Sequence, residues 1–234
     1  MPMLVNRLLS SLPANPGAAR FPGLERVELA FGQVLHRPGR RIGHVYFPID
    51  SLVSLVSHAR GDIAVELGVV GRDGMIGVGI ALGDGRSPVR AVVQAAGPAL
   101  RATAADFMKE FGRRTAMRHD VRRYSNDLTI QVMQTASCNR NHGAEQRLAR
   151  WLLMMRDRLS GDRYRLTQEY LGFLLGVRRA AISEAAGRLQ RRNLIRYARG
   201  SIRILDAEGL KAASCACYRA WKDRPAAVAA RTEK

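Results

Sequence analysis

The residues with the most chemical content in this 234-residue chain are arginines. From Arg163 to Arg203 there are ten of them against two acids, Glu169 and Glu184. Guanidinium groups at this density suit a polyanion, because each is permanently charged and can fork two hydrogen bonds onto a phosphate or a guanine edge. A single pair such as Arg191-Arg192 reads as readily as a solvated helix face, so the whole stretch carries the argument. The carboxylates do not gather in this way. Asp50, Asp62, Glu66, Asp73, Asp84 and Asp106 are scattered, and no Asp-x-Asp, His-x-x-x-His or P-loop pattern occurs. The clustered acids or activated nucleophile of a nucleic-acid-processing enzyme are therefore not indicated, although such an enzyme and a protein-interaction module stay as the rival readings. Cys215-x-Cys217 offers two thiolates, which is short of a closed zinc site, and no His or second Cys pair lies nearby in sequence. Packing of a closing helix is expected there, and no metal site is assigned.

The elements that must hold the arginines are legible around them. Thr167 can cap a helix, with Glu169 placed where the positive end of the helix dipole favours an anion. Leu171, Leu174 and Leu175 give that helix an apolar face, and Gly176 can turn the chain in the left-handed region. Val177 then plugs the corner before a second helix, Arg179 to Arg191, with Ile182, Ala186 and Leu189 at helical spacing. Two helices joined so tightly are a helix-turn-helix, whose second helix is built for a DNA major groove. Residues Leu194–Tyr197 and Ser201–Leu205 read as two strands joined by Ala198-Arg199-Gly200, a β-wing, and Asp206 as the cap of a closing helix.

Upstream, the pattern is different. Residues 31–100 carry short β-prone runs punctuated by glycine, clearest at 34–35, 45–47, 52–56, 64–67 and 89–94, which predicts an all-β sandwich or barrel. Turns are expected at Pro38-Gly39, Arg60-Gly61-Asp62, Arg72-Asp73-Gly74, Gly83-Asp84-Gly85 and Gly97-Pro98. Short helical pieces are expected over Leu4–Leu12, Leu24–Leu29 and, after Thr103, Asp106–Arg113. A long helix follows, in which Met117, Val121, Tyr124, Leu128, Gln131, Thr135 and Cys138 are spaced alternately by four and three. Such a heptad seam predicts pairing with a second copy of the chain. Asn139 to Gly143 reads as a hinge, and Glu145 to Leu159 as a helix covering the helix-turn-helix with Leu148, Trp151, Leu152, Met155 and Leu159. Leu210 to Trp221 can close the domain, and the residues from Pro225 read as a frayed tail.

The net charge is +18. From Glu145 onward there are 20 basic against 9 acidic residues, +11, and the longer part before it carries +7. A field of this sign implies a nucleic acid or an anionic membrane surface as partner. No run of about eighteen apolar residues is present, so no membrane span is expected. The first residues lack the sustained apolar run of a secretory signal, and the few cysteines fit a reducing cytoplasm.

The order of parts resembles the Crp/Fnr family of bacterial transcription factors over nearly the whole chain. The resemblance rests most on Leu166-Thr167-Gln168-Glu169 with Leu175-Gly176-Val177, and on Arg199-Gly200-Ser201-Ile202 before Leu205-Asp206. Gly74-Met75-Ile76-Gly77 and Ser214-Cys215-Ala216-Cys217-Tyr218 add to it. It implies an α+β chain with an N-terminal β-roll or jelly-roll sensor domain of the cyclic-nucleotide-binding type (1–114), a dimerisation helix and hinge (115–141) and a winged helix-turn-helix domain (142–224). It also implies a homodimer on an inverted-repeat site, with RNA polymerase as a further partner. The family's base-reading arginine falls on Arg179, with Ser183 one turn on. Two further base-reading positions are here Ala180 and Glu184, so the recognised sequence does not carry over. Arg178, Arg188 and Arg199 are assigned to phosphates, and Thr167 and Gln168 to a phosphate at the first helix's N-terminus.

The effector is less legible. The family's cyclic-nucleotide binders hold the ribose with a Gly-Glu-Leu or Gly-Glu-Ile turn, and here Met75 replaces the carboxylate, which argues against a cyclic nucleotide. Arg86-Ser87 matches the family's phosphate pair in type, so Gly74, Gly77, Arg86 and Ser87 are the candidate effector residues. The iron–sulfur members need four cysteines, mostly near the N-terminus, and all three here lie after Asn126, so that chemistry is not expected. His36, His44, His58, His119 and His142 are candidate haem ligands in principle, but a lone histidine is more often a satisfied core or surface residue.

Overall fold

A computed structural model of the protein describes residues 6–9, 22–57 and 65–222. The expected N-terminal helix beyond a 3-10 turn at Arg7–Leu9, the turn at Arg60–Asp62, His58 and the C-terminal tail lie outside these residues. The described residues form two compact units. One takes those of Met1–Leu55 and Val69–Thr129, and the other those of Val56–Gly68 and Ile130–Arg224.

Among the described residues, seven short strands precede the α-helices: β1 (Glu25–Leu29), β2 (Val34–His36), β3 (His44–Pro48), β4 (Leu52–Val56), β5 (Glu66–Val70), β6 (Arg90–Ala95) and β7 (Gly97–Thr103). Of these, Val56 and residues 66–68 are counted with the second unit and the rest with the first. They make one sheet in the order β1-β7-β3 and another in the order β2-β6-β4-β5. Two expectations are corrected here. Leu24–Leu29 is not a turn of helix but strand β1, paired antiparallel with β7, and it turns Leu29 into the core. Gly97-Pro98 is not a turn but the start of β7, the central strand of its sheet. Position 97 tolerates only glycine, since a Cβ there would lie 2.3 Å from the Asp50 carbonyl oxygen. Pro98 lacks an N–H, but its carbonyl accepts from the Ile49 N–H at 3.0 Å and the Ser51 hydroxyl at 3.1 Å.

Helix α1 (Ala104–Arg113) starts at Thr103, whose hydroxyl accepts the Asp106 N–H at 3.1 Å. It lays Phe107 and Phe111 on the sheet, with Phe107 6.2 Å from Phe47 and 5.8 Å from Phe111 between ring centroids. Such aromatic contacts add to the area they bury.

Helix α2 (Thr115–Asn141) is the long helix expected, but its heptad seam faces inward. Met117, Val121 and Tyr124 belong to the first unit's own core, and Leu128 packs against it. The Tyr124 hydroxyl donates to the Met75 carbonyl at 2.8 Å, and Gly74 lies so close to the ring that a Cβ would sit 2.1 Å from it. Farther along, Gln131 and Cys138 are buried in the second unit. The seam thus packs on the chain itself rather than being presented to a partner. Periodicity identifies a helix face, whereas what covers the face depends on where the β strands come to lie.

The second unit contains α3 (Ala144–Arg158), β8 (Arg163–Arg165), α4 (Gln168–Leu175), α5 (Arg179–Arg191), β9 (Ile195–Ala198), β10 (Ser201–Ile204), α6 (Ala207–Ala213) and α7 (Ala216–Lys222). Helix α3 is its spine. Leu148, Trp151, Leu152 and Met155 are buried, and α3 packs against α4, α5, α6 and α7. The Trp151 indole N–H donates to the Glu66 carboxylate at 2.7 Å, which ties residues 56–68 into this unit.

Candidate nucleic-acid interface

The helix-turn-helix is built by local signals and then pinned from outside. Thr167 accepts the Tyr170 N–H at 3.1 Å, and Gly176 ends α4 in the left-handed conformation, φ 59° and ψ 41°. The Val177 N–H donates back to the Gly172 carbonyl at 2.9 Å. Gly172 must be small, since a Cβ there would lie 2.9 Å from the Val177 carbonyl oxygen. From α3, buried Arg147 donates to the Leu175 carbonyl, placing a cation on the negative end of α4. Burial pushes the Arg147 guanidinium below its ordinary pKa. Helix α5 buries Ile182, Ala185, Ala186 and Leu189 and leaves Arg179, Ala180, Ser183 and Glu184 exposed.

The wing is fastened to the same helices. The Leu166 N–H donates to the Gly200 carbonyl at 2.7 Å, and the Tyr197 hydroxyl donates to the Leu166 carbonyl at 2.7 Å. Burial raises the Tyr197 pKa, which keeps that hydroxyl a donor. The two central wing residues, Arg199 and Gly200, have φ of 49° and 70°. Both being positive defines a two-residue hairpin turn, whose twist matches the flanking strands. The connection is one residue shorter than expected because Ala198 belongs to β9. These bonds bring Arg199 and the capped N-terminus of α4 side by side.

Of the residues assigned to DNA, Thr167, Arg178, Arg179, Ser183 and Arg199 are exposed and Gln168 is half-buried. Arg188 is placed differently from the expectation. Its Nε donates to Glu145 at 2.6 Å, its Nη1 lies 3.7 Å from Glu184, and Arg192 shares Glu145 at 3.1 Å. Glu145, at the start of α3, thus clamps the end of α5. Arg188 acts in the first instance as a positioning residue.

A second basic feature emerges only from strand pairing. Strand β8 pairs with β10, so Arg163 and Arg196 both lie directly opposite Arg203, and all three are exposed on the outer face of a β8-β10-β9 sheet. Like charges directly opposite each other are destabilising unless an anion intervenes. Among the described residues, Asp162 is the one acid ion-paired with this row, 2.9 Å from Arg203, and the guanidinium holds its carboxyl below the usual range. The sequence signal for the row is Arg-Tyr-Arg, Ile-Arg-Tyr and Ile-Arg-Ile, in which the arginines alternate with residues turned inward.

The candidate effector residues of the first unit are occupied structurally. Arg86 donates to the Gly39 carbonyl at 2.8 Å, and buried Ser87 donates its hydroxyl to the Val89 carbonyl at 2.8 Å. Gly74 lies against Tyr124, and Gly77, at φ 94°, lies against His36. His36 is itself a core histidine, 2.9 Å from the His44 carbonyl, and burial lowers its pKa. Cys215 and Cys217 are packed in the interior as expected, but with companions that sequence spacing does not show. Tertiary structure brings Cys138 and His142 to them, with the four ligand atoms within 4.8 Å of one another.

A unit of antiparallel strands, a long helix and a winged helix-turn-helix with an exposed basic face define the class of a DNA-binding protein. Residues 146–213 match the family model of the Crp-like helix-turn-helix domain. FixK2 from Bradyrhizobium japonicum is similar in structure at 12% identity, with a TM-score of 0.69 over 82% of this chain and 98% of that one. A CRP-family transcriptional regulator from Thermus thermophilus, TTHB099, is similar at 16% identity, with a TM-score of 0.66 over 80% and 96%. The c-di-GMP-responsive global regulator CLP of Xanthomonas campestris follows at 17% identity, with a TM-score of 0.58 over 78% and 94%. Comparison with curated protein sequences finds no match. The chain carries a Crp-like helix-turn-helix DNA-binding domain on the fold of the Crp/Fnr transcriptional regulators. No described helix is long and apolar enough to cross a membrane.

Proposed function

We propose that the protein is a non-catalytic, cytoplasmic transcriptional regulator that binds an inverted-repeat DNA site as a homodimer and engages RNA polymerase there. The observation that carries this reading is the juxtaposition of Arg178, Arg179 and Ser183 on the outer face of α5 with Thr167 and Arg199 beside it. Arg179 reads a base, and Arg178, Arg199, Thr167 and Gln168 hold phosphates. The Arg163, Arg196 and Arg203 row extends the phosphate surface. Gel-shift titration across salt tests this. A regulator gives a steep salt slope and a large preference for one palindromic site. Arg199→Ala is expected to weaken binding to every duplex and to reduce the salt slope by roughly one unit per protomer. Equally weak binding to all duplexes by the wild-type protein refutes the proposal.

Dimerisation is assigned to the outward face of α2, because the heptad seam is used internally. Asn126, Thr129, Met133 and Ala136 follow one another at spacings of three and four, and all are exposed, Met133 at 65%. Met133→Glu would place two like charges across that contact. It is expected to cost about 3–5 kcal/mol of dimer stability, the scale of an uncompensated buried charge, and to convert dimers to monomers in sedimentation. A variant that still sediments as a dimer rules the face out.

The input is assigned to the first unit, through the bond from Tyr124 to Met75. A ligand that shifts the Gly74–Gly77 turn would pull on α2 directly. A cyclic nucleotide is not the proposed ligand, since Met75 offers no carboxylate to a ribose.

A further inference from the structure

We propose that Cys138, His142, Cys215 and Cys217 form a closed tetrahedral site for a thiophilic divalent cation, zinc in the first instance, inside the DNA-binding unit. Cys138 and His142 stand one helical turn apart at the end of α2, where the His142 N–H donates to the Cys138 carbonyl at 3.1 Å. Cys215 lies in the break between α6 and α7, and Cys217 in the first turn of α7. Three of the four residues are at least nine-tenths buried, with Cys138 at 1%, Cys215 at 4% and Cys217 at 7% exposure.

The spacing of the donor atoms fits a metal. Zinc–sulfur bonds of about 2.3 Å and zinc–nitrogen bonds of about 2.0–2.1 Å give a regular tetrahedron edges of about 3.8 Å between sulfurs and about 3.6 Å between sulfur and nitrogen. Cys138 Sγ lies 3.5 Å from Cys215 Sγ, and Cys217 Sγ lies 3.6 Å from His142 Nδ1. A disulfide would bring two sulfurs to about 2.0 Å. Two of the six separations thus match tetrahedral edges, and all four atoms lie within 4.8 Å of one another. Four protein ligands from two separate segments would fill the coordination of one ion, the arrangement of a structural rather than a catalytic centre.

Charge around the site points the same way. Three thiolates and one neutral imidazole around a divalent cation make a complex of net charge −1. Arg147 and Arg150, both buried, line one cavity with Cys138, and each has an Nε–H that finds no acceptor among the described residues. Glu66 lines the same cavity and supplies one negative charge against their two positive ones. An anionic metal–thiolate complex would balance the remainder, and buried charges persist only when they are compensated. Soft thiolate ligands favour zinc over magnesium or calcium, which prefer oxygen. The consequence is mechanical. The ion would clamp the hinge end of α2 to the helices that close the DNA-binding unit.

The test uses the full chain purified under reducing conditions without chelator. Elemental analysis is expected to find zinc at one atom per chain. Chelator-stripped protein should regain its thermal midpoint on adding zinc. With cobalt it should develop the visible bands of a tetrahedral site and a sulfur-to-cobalt charge-transfer absorption matching three thiolates. Cys215→Ser and Cys217→Ser should abolish zinc retention, whereas Arg179→Ala should keep it. Because a cysteine variant could fail to fold, the wild-type cobalt spectrum decides independently. Protein that is isolated without metal and gives neither a cobalt band nor a thermal shift overturns the proposal. So does zinc retained undiminished by a folded Cys215→Ser, Cys217→Ser double variant. None of these readouts involves DNA, so they stand apart from the DNA-binding reading.

Discussion

Arg179→Ala is expected to weaken binding to the cognate site by about 1–3 kcal/mol per half-site and to relax the preference at one base pair in each half. In a symmetric dimer the two distant half-sites add, so the total is roughly 2–6 kcal/mol. The physical reason is the loss of a forked donor pair from the first turn of α5, whose opposite face is anchored by Ile182, Ala185, Ala186 and Leu189. The helix itself should be undisturbed, because Arg179 is exposed and Arg178, not Arg179, is the capping residue. Measuring the variant against a set of single-base site mutants distinguishes the roles. A uniform loss on all sequences would make Arg179 a phosphate contact like Arg199.

Trp151→Ala is expected to cost about 3–5 kcal/mol in the DNA-binding unit, a large part of the ~5–15 kcal/mol that holds an ordinary domain folded. Trp151 is 3% exposed on α3, the helix on which α4, α5, α6 and α7 all pack. Its removal enlarges the cavity that it lines with Glu66, Gly68, Met154, Leu174 and Leu175. Urea unfolding followed by circular dichroism measures the loss, and a cost below about 1 kcal/mol would show that the site collapses freely. Trp151→Phe separates the two contributions of the side chain. It keeps most of the apolar volume but takes the indole donor from Glu66, for which about 1–3 kcal/mol is expected.

Reading heads and caps are the most legible parts of this chain. The α4 cap at Thr167, the left-handed Gly176, the α5 core positions, the wing and the Asp206 cap all follow from spacing over a few residues. Each rests mainly on hydrogen bonds or apolar periodicity within a few residues, and here the distant contacts reinforce it. Strand β7 is not legible, since a Gly-Pro pair usually marks a turn. Here the close approach of Asp50 requires the glycine, and the proline's missing N–H is tolerated because its carbonyl is used instead.

By itself, then, the sequence determined a helix-turn-helix with a wing, its positive charge and its exposed Arg179. The same is true of the residues that share the α2 seam, although the helix itself runs on through residues 139–141, which read as part of a hinge. Tertiary structure alone decided what those residues meet. It turned Met117, Val121 and Tyr124 onto the chain's own core, and it drew Arg188 onto Glu145. It also set Arg163, Arg203 and Arg196 in one row. Most of all it gathered Cys138 and His142 with Cys215 and Cys217, across a separation of 77 residues between the two sulfurs in contact. Local spacing specifies a face because backbone geometry is periodic. Which faces close on one another is a long-range packing outcome, and that is where the cysteine–histidine cluster of this protein was hidden.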